Sequence, residues 1–505
     1  MRKIPSTIAT QHPDNASIPY WGKNPFISTI DEVRECYRVF SDLDCDEYMW
    51  DWEGKFVDEA VVDRLLHRYE EYFRKKQLGR DKFLTFRVPN IWHEKGHRLA
   101  RAYMTMITAA HTAKEYRLHT PPLFEVILPM TTDASQLLMV IKKYREALKY
   151  EKAIFEEVVA GLGKIEMIPL IEGSVTLLKS RRILHEYVRG YEKLFKYKPP
   201  YLRPFIARSD PALDAGFIPA VLSARAAISE YYRFEEESGI PVYPIIGVGS
   251  LPFRGGLSPT RLGRFLENYA GVRTVTIQSA FRYDYPLPQV KKAIRFLNHG
   301  LRRHRAVLFS DKEIREMTTL AEQFSALYRP VIRKLAPMIN DIVQYVPSHR
   351  ERIPHSGHFG YSRSMEKQKI KLPRAIAFVA VFASLGVPPT FIGTGRGLRS
   401  LIEQGKEKLL QKYLPTLRED IEDTGRYLNW ENLKFLIREN PAWAPIREDV
   451  LFLEEFLGKR LGPEKPDQFI HRNLTSNIYH LWKQGKPEEL RKEILHAGQV
   501  RRSLG

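Results

Sequence analysis

YPIIGVGSLPFRGG, residues 243–256, opens as a short apolar run and passes directly into a glycine-rich loop that ends on one arginine, Arg254. An apolar run closed by such a loop reads as a strand leading out of a sheet. Seven further runs of this kind precede or follow it: STIATQHP (6–13), EYMWDWEG (47–54), FLTFRVPN (83–90), FEVILPMTT (124–132), EMIPLIEG (166–173), RPFIARSD (203–210) and RTVTIQSAF (273–281). Between them lie segments of helical period, for example VVDRLLHRYEEYFRKKQ and AVLSARAAISEYYRFEEE. Strands alternating with helices indicate parallel βαβ units. Eight units, with no Gly-x-Gly-x-x-Gly opening the first, predict a closed (β/α)8 TIM barrel and not an open dinucleotide-binding sheet. After residue 300 the strand signal fades and helical patterns dominate. Residues 1–300 are therefore read as a barrel carrying the active site, and 301–505 as an α-helical extension contributing active-site loops and oligomer contacts.

Composition narrows the function classes. In 505 residues, 79 Lys and Arg against 60 Asp and Glu give a net charge of +19, which implies anionic partners. The basic residues are spread along the chain, with no basic arm, zinc finger or aromatic RNA-binding motif, so a small anionic substrate is expected and nucleic acid is not. No apolar stretch reaches membrane-spanning length and the N-terminus has no apolar targeting core, so a cytoplasmic protein without membrane contact is expected. Cys36 and Cys45 match no metal or redox spacing and read as ordinary thiols.

Barrel enzymes place their chemistry at the C-terminal ends of strands. The first run ends in His12, the third in Arg87, the fifth in Glu172, the sixth in Asp210, and the seventh leads to Arg254. Each has a structural alternative: an extended X-Pro turn for His12, helix caps for the two carboxylates, a surface ion pair for Arg87. Together on one rim they suit a divalent cation and an anionic substrate, because carboxylates hold Mg2+ or Mn2+ and arginines grip phosphate and carboxylate. Further on, GYSRSMEKQKIKLPRAIAF (360–378) places Arg363 and Arg374 around Lys367, Lys369 and Lys371, as a loop able to bring positive charge over the barrel mouth. Two other motifs compete. His93-Glu94-Lys95-Gly96-His97 fits a zinc-helix pattern, but Gly96 is poor inside a helix. FIGTGRGL (391–398) lacks the Lys-Ser/Thr of a phosphate loop and reads as a turn.

These pieces resemble phosphoenolpyruvate carboxylase, archaeal type, from end to end. The resemblance rests on TQHPDN (10–15), PLIEG (169–173), ARSDPALDAG (207–216), GVGSLPFRGG (247–256), SRSMEK (362–367) with LPRAI (372–376), and the terminal AGQVRRSLG. It implies a lyase that forms oxaloacetate and phosphate from phosphoenolpyruvate and bicarbonate, through carboxyphosphate and a metal-stabilised enolate. It also implies Mg2+ or Mn2+ and a homotetramer. By position, His12, Arg254 and Arg87 become catalytic, Glu172 and Asp210 metal ligands, and Arg363, Arg374, Gly255 and Gly256 substrate-binding. Val248 stands where the longer enzymes of the family carry a second arginine. The alternative is another divalent-metal-dependent TIM-barrel lyase or mutase acting on oxoacids.

Overall fold

A computed structural model of the chain describes all residues except 1, 56, 95, 119–120, 155–158, 160, 351–362 and 366–369. Eight parallel strands close into a barrel: β1 (Thr7–Ala9), β2 (Glu47–Asp51), β3 (Phe83–Arg87), β4 (Glu125–Leu128), β5 (Glu166–Ile171), β6 (Phe205–Ala207), β7 (Ile245–Gly247) and β8 (Thr274–Ile277). β1 closes the ring by pairing with both β2 and β8. Each of the eight runs read from sequence contains one of these strands.

The period-two alternation of each strand sorts its side chains. On β2, Tyr48 and Trp50 face outward into the core between strands and helices, while Met49 joins Ile8, Ile127, Ile168, Leu170, Phe205 and Ile245 inside the barrel. The lower end of the barrel is ionic. Arg203, fully buried, donates to Glu47 Oε2 at 2.6 Å and also to Glu125, and carboxylates this deep persist only because they are paired.

The helical region is built onto the sixth βα unit. The helix Phe217–Ser238 buries residues on all its faces, because one side covers the barrel and the other meets the long helix Asp311–Ile342. That long helix starts at a capping box in which Ser310 and Glu313 satisfy each other's backbone donors. Its apolar face continues a second core through Phe324, Leu335, Phe378, Phe382 and Trp443. A two-stranded antiparallel hairpin, β9 (Arg363–Met365) and β10 (Ile370–Leu372), interrupts the helices where sequence suggested only a loop. Among the described residues no single helix is long and apolar enough to cross a membrane.

Cys36 and Cys45 are buried free thiols, and burial pushes the Cys45 thiol up to about 12. His93 lies outside the helix Gly96–Glu115 that begins three residues later, and Lys95 lies outside the described residues. The two histidines therefore do not share a helical face. In FIGTGRGL, Arg396 pairs with the buried Asp449 at 3.0 Å, and a Cβ on Gly395 would stand 2.0 Å from the Asp449 carbonyl oxygen. The segment read as a turn is mostly the start of the helix Thr394–Glu403, which packs here against the helix Ala444–Leu457.

Candidate active site

The C-terminal ends of the strands surround a cavity of about 240 Å³. Its wall includes His12 after β1, Glu53 after β2, Arg87 at the end of β3, Glu172 directly after β5, Arg208, Ser209 and Asp210 after β6, Arg254 after β7 and Gln278 after β8. The helical region adds Ser348, Arg374 and Ile376. Six side chains named from sequence, His12, Arg87, Glu172, Asp210, Arg254 and Arg374, thus border one space. Arg363 sits in β9, and neither its side chain nor Lys367 and Lys369 are among the described groups.

Register explains the first arginine. Asp51 and Arg87 are direct partners across β2 and β3, and both point inward at the top of the barrel. Arg87 Nε donates to Asp51 Oδ1 at 2.8 Å and Nη2 to Oδ2 at 2.6 Å, a bidentate pair, while Nη1 lies 3.0 Å from Glu53 Oε2. Burial opposes the charge on Arg87, but Asp51, Glu53 and Glu172 outweigh it and hold the guanidinium firmly protonated. Arg87 is a buried pair and not the surface contact that sequence allowed. Glu53 Oε1 accepts from Arg374 Nη2 at 3.1 Å. One carboxylate therefore ties a barrel arginine to the arginine that precedes the helix Ala375–Ser384.

Arg254 is only 1% exposed and lies along the cavity wall. Its Nη1 donates to Asp14 Oδ2 at 3.0 Å and to the main-chain oxygen of Gly505 at 2.5 Å, its Nη2 to Gln278 Oε1 at 2.6 Å, and its Nε to Ser209 Oγ at 3.2 Å. The loop folds back so tightly that a Cβ on Gly249 would lie 2.7 Å from Arg254 Cζ. Gly255 has φ +112°, and a Cβ there would come within 2.4 Å of Val248. The N–H groups of Gly255 and Gly256 donate to the carbonyls of Pro252 and Leu251 at 3.0 Å each. The glycines thus shape the turn that aims Arg254, and their donors are spent inside the loop.

His12 Nδ1 lies 2.8 Å from Thr10 Oγ1, which orients the ring. Glu172 follows β5 immediately and precedes the short helix Ser174–Leu178, and Asp210 sits in the first turn of the helix Ser209–Ala215. Among the described residues no group of three or more His, Cys, Asp or Glu is placed to hold a metal ion. Glu172 and Asp210 offer the oxygen donors that a hard divalent cation takes, with waters and substrate oxygens to complete its shell, and are too few for a closed zinc site.

Sequence reading passed over several wall residues. Glu53 stands near the end of the second run, beside Asp51, the partner of Arg87, and Gln278 follows β8, so the same strand-end rule applied to every run would have found them. Arg208 carried no signal of its own. It is buried, its Nε donates to Tyr269 Oη at 2.8 Å, and its Nη1 and Nη2 donate to the carbonyls of Phe253 and Phe217.

Four arginines and a histidine face three carboxylates around this cavity, so fold and site together define a barrel enzyme acting on anionic substrate. A sequence profile of the family described as phosphoenolpyruvate carboxylase matches residues 4–505. Curated relatives named phosphoenolpyruvate carboxylase include one from Oenococcus oeni, 42% identical over 94% of each chain. Another, from Leuconostoc mesenteroides, is 40% identical over 100% of this chain and 99% of its own, and one from Metallosphaera sedula is 40% identical over 100% of both. The chain belongs to the phosphoenolpyruvate carboxylase family.

Proposed function

We propose that this protein converts phosphoenolpyruvate and bicarbonate to oxaloacetate and phosphate, an anaplerotic carbon fixation. The observation that carries the reading is the convergence of His12, Arg87, Glu172, Asp210, Arg254 and Arg374 on one cavity. A bicarbonate oxygen attacks phosphorus, the bond to the enol oxygen breaks, and the electron pair leaves with the pyruvate enolate. Carboxyphosphate then yields phosphate and CO2, and the enolate carbon adds to CO2.

Both halves gather negative charge, and preorganised cations act most strongly where charge develops. Arg87 and Arg374 already share Glu53, so their spacing is fixed before substrate arrives. Arg254 meets the phosphoryl side, with the neutral partners Gln278 and Ser209 as the contacts it can exchange for substrate oxygens. Gly255 and Gly256 reach the substrate only by giving up Pro252 and Leu251. With Nδ1 engaged by Thr10, His12 accepts the carboxyphosphate proton at Nε2. Arg363 completes the cationic set. Glu172 and Asp210 would hold the divalent cation, Mg2+ or Mn2+, which when bound supplies Lewis-acid stabilisation of oxyanion charge.

We read residues 1–300 as the catalytic barrel and 301–505 as the helical region that adds site residues and oligomer contacts, in a cytoplasmic homotetramer that binds neither nucleic acid nor membrane. The sharing of Glu53 between Arg87 and Arg374 supports the first part. Light scattering tests the tetramer. An oxoacid lyase or mutase would need the cation but not this set of arginines. The deciding experiment follows oxaloacetate and phosphate from phosphoenolpyruvate with and without bicarbonate. Equal production of both, dependent on bicarbonate, is expected; phosphate or oxaloacetate formed independently of bicarbonate would refute the proposal.

A further inference from the structure

We infer that the opposite end of the barrel carries a second anion site, formed by Arg2, Lys3, Arg273 and Arg302, that takes a small phosphorylated molecule. These side chains, with Ile4 and Tyr243, line a cavity of about 560 Å³. Arg2, Lys3 and Ile4 precede β1, Tyr243 precedes β7 and Arg273 precedes β8, while Arg302 lies in the turn Leu301–Arg303. The catalytic cavity is lined by residues that follow the same three strands, and the two cavities share no side chain.

The charges here are unevenly matched. Arg2 Nη2 donates to Glu125 at 2.8 Å, Arg203 pairs with Glu125 and Glu47, and Lys3 pairs with Asp46 at 2.5 Å. In that group each cation has its carboxylate. Arg273 and Arg302 differ: among the described residues neither has a carboxylate within ion-pair distance. Arg273 Nη1 donates to the carbonyls of Gly271, Val272 and His304 at 3.2–3.4 Å, and Arg302 Nη2 to the Ile4 carbonyl at 3.1 Å. Glu235 and Arg273 interact only through a longer-range field. Two guanidinium charges without carboxylate partners beside one cavity suit a dianion, and guanidinium forks suit phosphate oxygens.

Two of the cations, Arg2 and Arg273, are also held in place. The Arg2 guanidinium stands 4.8 Å from the Phe83 ring centroid and 4.7 Å from that of Phe124, and Arg273 stands 5.5 Å over Tyr232. For these two side chains little ordering remains to be done on binding, and the exposed Arg302 supplies the adjustable contact. The cavity has room for a phosphate together with an organic body. Tyr243, packed against Tyr201 at 6.2 Å between centroids, supplies an apolar wall for it.

Calorimetric titration of the full chain with glycerol 3-phosphate, at about 150 mM salt to screen loose surface contacts, tests the site. Binding is expected, weakened at least about tenfold by Arg302→Gln and by Arg273→Gln with Arg302→Gln, with turnover in the absence of the probe within about twofold of wild type. Arg302→Gln removes one backbone contact only and keeps the test valid should the double variant not fold. Arg254→Gln, in the catalytic wall, is expected to leave this binding unchanged, and malate is expected to bind at least about tenfold more weakly. Absence of binding, binding untouched by Arg302→Gln, or binding lost with Arg254→Gln would overturn the site. Malate binding as tightly would overturn the phosphate preference.

Discussion

Gly249→Ala places one methyl group against the guanidinium of Arg254. The added Cβ would stand 2.7 Å from Cζ, 2.8 Å from Nη1 and 3.1 Å from Nε. Unstrained carbon contacts lie at about 3.5–4.0 Å, so the guanidinium must retreat by roughly 1 Å. That shift breaks at least one of its bonds to Asp14, Gln278, Ser209 or Gly505. A hydrogen bond to a charged group contributes about 1.5–3 kcal/mol, so kcat/KM for phosphoenolpyruvate should fall about ten- to hundredfold. Stability should drop by about 1–3 kcal/mol, the usual cost of overpacking. Gly249 is absent from the positive-φ glycines, so the effect is steric. Gly256→Ala is the control: φ is +75° and the nearest atom, Pro252 Cα, is 3.6 Å away. It should cost about 1–2 kcal/mol through backbone strain while leaving Arg254 in place. Steady-state kinetics and thermal melting of both variants decide the matter. Wild-type kcat/KM in Gly249→Ala would show that the position of Arg254 does not set the rate.

Three other perturbations separate the remaining parts. His12→Asn should uncouple the reaction, so that phosphate release continues while oxaloacetate falls; an unchanged ratio of the two products removes His12 as proton acceptor. Dialysis against a chelator should abolish turnover, with Mg2+ or Mn2+ restoring it, and Glu172→Gln or Asp210→Asn should raise the metal concentration for half-activity at least about tenfold. Full activity in metal-free enzyme would contradict the role given to these carboxylates. Burial, aided by Arg350, brings His349 down from 6.5 to about 4. The unfolded chain therefore takes up this proton below pH ~6.5 and the folded chain only near pH 4, so stability falls with pH through that window, by up to about 3 kcal/mol. Urea titrations at pH 7 and pH 4 should show His349→Gln losing less stability than wild type; parallel losses would mean another group governs the acid limb.

The barrel was legible because each strand pairs with its neighbour in ring order, so alternation along the chain is also adjacency in space. Strand ends then marked the cavity wall without further information: Arg87 and Glu172 needed only the rule that chemistry gathers at the C-terminal rim. What stayed hidden depends on contacts across long stretches of chain. Glu53 earns its place by meeting Arg374, 321 residues away. Arg254 looked like a fork held out to substrate, yet Asp14, Gln278 and Gly505 engage it, and Asp14 lies 240 residues distant. Local pattern reports a residue's position on its own element and says nothing of such partners. The Lys-rich segment before Arg374 hid the β9–β10 hairpin because two three-residue strands are too short to show alternation.

The pairing of β1 with β8 joins residues 7–9 to residues 275–277. During synthesis β1 leaves the ribosome well ahead of β8, and it must wait for the whole run of residues from 10 to 274 before its second neighbour exists. Until then β1 has a vacant edge, the kind of surface that invites wrong partners. The Arg374–Glu53 contact forms later still, because Arg374 lies beyond β8 in the chain. A ribosome-released fragment ending before β8 should therefore be aggregation-prone as well as inactive, and chaperone demand should peak over the window in which that strand emerges.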